Sequence, residues 1–106
     1  MTPMSLGRVN VAAAGTPVRL TADASIRARR LSLTVIAGLT GKMYLGVANM
    51  NKDSLAGVIR EFWPNPTGGI SDKEVIEAPP GSSLTVADYW LDAAVNGEGM
   101  IVAYWV

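Results

Sequence analysis

Leu31, Leu33 and Val35 alternate with Ser32 and Thr34, and the same two-residue beat returns at Met43, Leu45 and Val47. Side chains of an extended strand point to opposite faces at every second residue, so this pattern prescribes strands with one apolar and one wetter face. Between the two segments stands Ala37-Gly38-Leu39-Thr40-Gly41, whose glycines permit a reversal. The stretch from 30 to 48 is therefore expected to be a hairpin. Short segments of the same kind recur. Val9, Val11 and Ala13 alternate before Gly15 and Pro17, Val18 and Leu20 resume, and Thr21 to Ser25 is polar and turn-like. Glu74 to Ala78 is short and extended, Pro79-Pro80-Gly81 turns the chain, and Ser82 to Val86 opens another strand. Leu55 to Trp63 fits a short helix or a strand, and its β-branched and aromatic residues favour the strand. In Pro64-Asn65-Pro66-Thr67-Gly68-Gly69 the prolines lack amide donors and the glycines relax the backbone, which makes a surface loop.

The C-terminal segment invites a second hairpin. Asn96-Gly97 is a preferred two-residue turn, and centring the reversal there sets Val95 against Glu98, Ala93 against Met100, Leu91 against Val102 and Tyr89 against Tyr104. The other face then carries Trp90, Asp92, Ile101, Ala103 and Trp105. Both faces are largely apolar. Such a pair of strands belongs inside a sandwich or at a subunit contact.

A chain of 106 residues is expected to form one domain, residues 1–106, a β-sandwich with a short N-terminal arm over residues 1–8. A domain of this size removes roughly 65% of the unfolded chain's surface from water. Cysteine is absent, so neither disulfides nor thiolate metal sites brace it. With 49% hydrophobic residues, apolar groups are expected to remain at the surface once the core is filled, and these call for a partner. No charged segment followed by a long apolar run opens the chain, and no window approaches the ~20 apolar residues of a membrane helix. The expectation is a protein made in a cytoplasm that stays soluble or assembles, without membrane contact.

The formal net charge of zero conceals a division. Residues 1–60 hold eight basic and two acidic residues, whereas residues 61–106 hold Lys73 against seven acids. Either strands of the two halves interleave and neutralise one another locally, or copies meet basic face to acidic face. Only Arg27, Arg29 and Arg30 cluster, with no interleaved aromatic, which argues against nucleic acid.

Without histidine or cysteine, Ser-His-Asp and Cys-His arrangements and imidazole zinc sites cannot form. Asp88, Asp92, Glu74 and Glu77 could in principle supply a carboxylate pair, but their spacing fixes no two of them across a cleft. Gly97-Glu98-Gly99 and the 66–69 segment lack the strand-glycine-helix context of a phosphate loop. The acids at 72, 74 and 77 lack the central glycine and terminal glutamate of a calcium loop. No enzyme, cofactor or metal is expected.

The aromatic residues remain. Phe62-Trp63, Tyr89-Trp90 and Tyr104-Trp105 are adjacent pairs, and neighbours in a strand face opposite ways. Either both members are packed, one in each of two layers, or one is an anchor in a protein interface, where tryptophan and tyrosine are enriched. A sugar platform is a third reading. Arg29, Arg30, Phe62, Trp63, Trp90 and Trp105 are the candidate partner contacts.

The segments VRLTADASIRARRLSLTVIAGLTGKMYLGV and EAPPGSSLTVADYWLDAAVNGEGMIVAYWV resemble a pattern of small bacteriophage virion proteins. In that pattern a strand is followed by an ltGk-YlG element, a Pro-Gly turn precedes a strand, and a terminal segment carries nGe before a Tyr-Trp end. The resemblance spans roughly residues 17–106 and rests on turn and strand features; Leu55 to Gly69 is longer and more aromatic than the pattern. It implies an all-β, antiparallel β-sandwich, jelly-roll-like, acting as a capsid decoration or cement protein. The implied location is the capsid surface of the virion after synthesis in the host cytoplasm. The implied partners are the major capsid protein and further copies of the chain, a trimer above all. Other readings are a tail, neck or baseplate component, or a carbohydrate-binding module of a fibre.

Overall fold

The structure, a computed structural model, describes residues 2–65 and 71–106. Its strands are β1 (Pro3–Asn10), β2 (Val18–Arg19), β3 (Arg27–Ala28), β4 (Arg30–Val35), β5 (Met43–Gly46), β6 (Val58–Phe62), β7 (Lys73–Glu77), β8 (Leu84–Thr85), β9 (Trp90–Ala93) and β10 (Gly99–Trp105). A single 3₁₀ turn at Val86–Asp88 is the one helical element among the described residues.

The pairing is nested. β1 pairs with β10, β2 with β9, β3 with β8, β4 with β7 and β5 with β6, all antiparallel. A chain doubled back on itself as one long hairpin has this order. Lateral pairing of β10 with β4 and of β9 with β5 then rolls the hairpin into two four-stranded sheets. Their orders are β1-β10-β4-β7 (sheet 1) and β2-β9-β5-β6 (sheet 2), with β3-β8 as a separate pair. This is an antiparallel β-sandwich of jelly-roll topology.

The core lies between the sheets. Sheet 1 contributes Leu31, Leu33 and Val35 from β4 and Met100, Val102 and Tyr104 from β10, and sheet 2 contributes Met43, Leu45, Phe62, Leu91 and Ala93. These alternate with wetter positions along β4, as the two-residue beat requires.

Both expected hairpins are corrected by the sheet order. β4 lies in sheet 1 and β5 in sheet 2, and β9 and β10 are likewise divided between the sheets. The connections at 36–42 and 94–98 therefore cross from one sheet to the other. Ala93 and Met100 do both point inward, but from opposite sheets. Gly97 takes φ +81° while Asn96 does not enter the positive region, so the turn is not the two-residue type that needs both.

Residues 3–8, expected as part of an arm, are built into the edge strand β1, with a register shift between Ser5 and Gly7. Leu55 to Trp63 resolves into a turn in which Leu55 has φ +64°, followed by strand β6. The expected loop at Pro64 to Gly69 lies, from Pro66 onward, outside the described residues.

Nesting also explains the charge division. Because strands of the first half pair with those of the second, Arg30 meets Glu77 at 2.6 Å and Lys42 meets Glu61 at 3.7 Å, while Arg60 reaches from one sheet edge to the other, to Asp72 at 2.7 Å and Glu74 at 3.5 Å.

Candidate functional site

Inward residues being known, the register defines what sheet 1 shows to the outside. Three rows run across its strands: Pro3-Trp105-Arg30-Glu77, Ser5-Ala103-Ser32-Val75, and Arg8-Ile101-Thr34-Lys73. The middle row is uncharged. Ile101 and Val75 are 48% and 44% exposed. The central strand β10 thus turns Ile101, Ala103 and Trp105 outward, while charges stand at the margins of the face. A solvated sheet face usually carries polar residues on its outer side; β1, β4 and most of β7 do so, whereas β10 does not.

One corner of the face carries three of the sequence-derived candidates. The Arg30 guanidinium lies 5.7 Å from the centre of the Trp105 ring and is held there by Glu77. Arg30 Nε is buried with no hydrogen-bond partner among the described residues. The Arg29 amide donates to the Trp105 carbonyl at 2.7 Å, and the Ala78 amide donates to the Arg29 carbonyl at 2.8 Å. The Arg29 side chain is exposed, has no acidic partner among the described residues, and separates two shallow hollows. Arg27 lines one of them and bonds Thr85 Oγ1, again with no acid.

The other candidates are scattered. Phe62 is completely buried and packs in the core, so it is not a contact residue. Its neighbour Trp63 faces the other way and is 64% exposed, with Lys42 Nζ 4.3 Å from its ring and its amide donating to Asp72 Oδ2 at 3.1 Å. Trp90 is half-buried at the opposite end of sheet 2, beside Gly46. The structure therefore joins Arg29, Arg30 and Trp105, isolates Trp63 and Trp90, and withdraws Phe62. Ile101, Ala103 and Val75 were not among the candidates. Alternation with the buried Tyr104 was the signal that places Ile101 and Ala103 outward.

The four carboxylates considered for catalysis have separate surroundings. Glu74 and Glu77 are paired with arginines, Asp88 is exposed, and Asp92 is 1% exposed. Asp92 Oδ1 accepts from the Gly15 amide at 2.9 Å and from its own strand at Ala93 N, pinning the loop around residue 15 over sheet 2, while Oδ2 has no hydrogen-bond partner among the described residues. Among the described residues no group of three or more acids could hold a metal ion, and no helix is long and apolar enough to cross a membrane. Burial, with the Asp88 charge second, raises the Tyr89 phenol above its ordinary pKa. The Ser25 hydroxyl and amide hold the Asp23 carboxyl below its ordinary pKa.

Comparison of the chain with protein-family models, curated proteins and solved structures found no match.

Proposed function

We propose that this protein is a non-enzymatic structural component of a bacteriophage virion, a decoration or cement protein of the capsid surface. It binds the lattice of the major capsid protein and associates with its own copies, as a trimer. The observation that carries this reading is the outer face of sheet 1, where β10 turns Ile101, Ala103 and Trp105 outward, Val75 stands exposed on edge strand β7, and Arg30 and Glu77 share the Trp105 row at one margin. The molecule measures 38 × 30 × 20 Å, so a broad face offers more than the ~800 Å² that each partner contributes to a standard interface. At ~25 cal/mol per Å² of apolar area, less the losses of association, such a contact adds several kcal/mol per copy. The sequence resemblance supports a virion setting for that contact.

The test places a charge where the contact must be dry. Ile101→Asp sits on an exposed position and is expected to change stability by less than about 1 kcal/mol. It should nevertheless release the protein from heads of the encoding phage, read by co-sedimentation, and dissociate its oligomer, read by light scattering. Retention on heads at the wild-type level would refute this face as the contact.

A further inference from the structure

On the opposite side of the sandwich an open concavity of about 540 Å³ is lined by Arg19, Val47, Ala48, Ala87, Asp88 and Trp90. The register explains its shape. Trp90 stands directly across from Arg19 on β2 and from Gly46 on β5. Gly46 carries no side chain, and the position of a Cβ there is taken by the Gly57 carbonyl oxygen at 2.4 Å and Met50 Sδ at 2.7 Å. The 47–48 backbone that follows rises as an apolar wall with Val47 44% exposed.

The polar groups are few and differ in kind. Arg19 Nε donates to the Ala87 carbonyl at 3.1 Å, which fixes the guanidinium and leaves its two terminal nitrogens without a hydrogen-bond partner among the described residues. Its Cζ lies over the Trp90 ring, 5.9 Å from the ring centre, at the outer limit of a cation–π contact. Asp88 is exposed at the end of the 3₁₀ turn, and its carboxylate has neither an ion pair nor a hydrogen bond among the described residues. The hollow thus presents one aromatic surface, one fixed cluster of donors and one free acceptor. Arg19 and Asp88 cancel in charge, so a charged ligand gains little that a neutral one does not.

We propose that this concavity is a binding site for a neutral saccharide. A sugar ring has an apolar face of C–H groups that packs on an indole, and adjacent hydroxyls that both donate and accept. Asp88 accepts from those hydroxyls and the Arg19 terminal nitrogens donate to them. The volume lies within the range of small-ligand pockets. The site stands on its own geometry, on the sheet opposite the face assigned to capsid contact, and does not depend on that reading.

The experiment uses the full ¹⁵N-labelled chain and follows the indole N–H signals of its three tryptophans by NMR. The probes are the methyl glycosides of glucose, galactose, mannose and N-acetylglucosamine, disaccharides built from them, and sialic acid as an anionic control. At least one neutral sugar is expected to shift the Trp90 signal saturably and leave Trp63 and Trp105 unmoved. Asp88→Asn and Arg19→Met, both at exposed positions, should each weaken that binding about 10-fold or more, as expected for loss of a hydrogen bond to a charged group. The proposal is overturned if no neutral sugar moves Trp90, if the double variant binds as tightly as the wild type, or if sialic acid alone binds. Capsid retention is measured separately, so failure here leaves the docking face standing and the reverse also holds.

Discussion

At the scale of single residues, Glu98 shows how one side chain can join two crossings. Its carboxylate accepts from the Thr40 amide at 2.8 Å and from the Gly41 amide at 3.0 Å, tying the β4–β5 connection to the β9–β10 connection. Gly41 lies so close to that second connection that a Cβ would meet Val95 Cγ2 at 2.7 Å. Amide bonds to a carboxylate are stronger than neutral ones, and the donors are left partly buried when it goes. Glu98→Ala should therefore lower stability by about 2 kcal/mol, and Glu98→Gln, which keeps one acceptor, by about half of that. Denaturant titration measures both; a Glu98→Gln variant as stable as the wild type would show that the charge and second acceptor contribute nothing. Trp63 is a contrasting case. A buried tryptophan would lose ~3–5 kcal/mol on truncation, but Trp63 faces solvent, and its visible interaction is the stack with Lys42. Trp63→Ala is expected to cost ~0.5–1 kcal/mol in thermal unfolding. If it is also a partner anchor, retention on heads falls by far more than stability does; unchanged retention would remove it from the contact.

Among the elements, strands were far more legible than their partners. Leu31, Leu33 and Val35 announce β4 because alternation is a local consequence of the pleat. Alternation says only which residues point inward. A hairpin puts Ala93 and Met100 side by side on one sheet, and a sandwich puts them on facing sheets; either way both are apolar, so the sequence is the same for both. The outward aromatics were legible for the same reason the strands were, which is why Trp63 and Trp105 stand outside while Phe62 and Tyr104 stand within. What joins Arg29 and Arg30 to Trp105 was not legible, because it depends on the β4–β10 register. Nor was the device that fastens the edges. Arg60 projects from edge strand β6 to Asp72 and to the Lys73 carbonyl and Glu74 of edge strand β7, with its guanidinium 4.6 Å from the Phe62 ring centre. It bridges the open side of the sandwich. Arg60→Met keeps the apolar stem and removes the bridge; since the pair is partly solvated, the loss should be about 1–2 kcal/mol. Arg60→Lys should recover little of it, because an ammonium cannot reproduce the forked contact with a carboxylate and a carbonyl. Hydrogen exchange of the β6 and β7 amides would report the loosening, and full recovery by lysine would reduce the bridge to simple charge attraction.

For the whole molecule, nesting makes the first strand the last to be secured. β1 pairs residue 3 with residue 105, and the ladder is continued by reciprocal amide bonds between Thr2 and Val106. Such distant pairing must follow the inner turns, and folds dominated by it form in milliseconds to seconds. The consequence separates an arm from a strand. An arm could be cut away without effect. Removing residues 2–10 from this fold would take Leu6 and Val9 from the core and expose the whole length of β10 as an edge. That edge would be seven residues long, with Ile101, Ala103 and Trp105 on its outer side, which is a template for pairing with another chain. In the intact protein the shift between Ser5 and Gly7 breaks the regularity of β1, with Gly7 at φ +70° and its amide bonded to Ser5 Oγ, and a bulged edge resists such pairing. The truncated chain is therefore expected to lose its cooperative thermal transition, to bind a hydrophobic dye and to sediment as aggregates. A soluble truncated protein with the full-length melting temperature would mean that β1 contributes nothing to the sandwich, and β10 would then have to be protected by some other part of the chain.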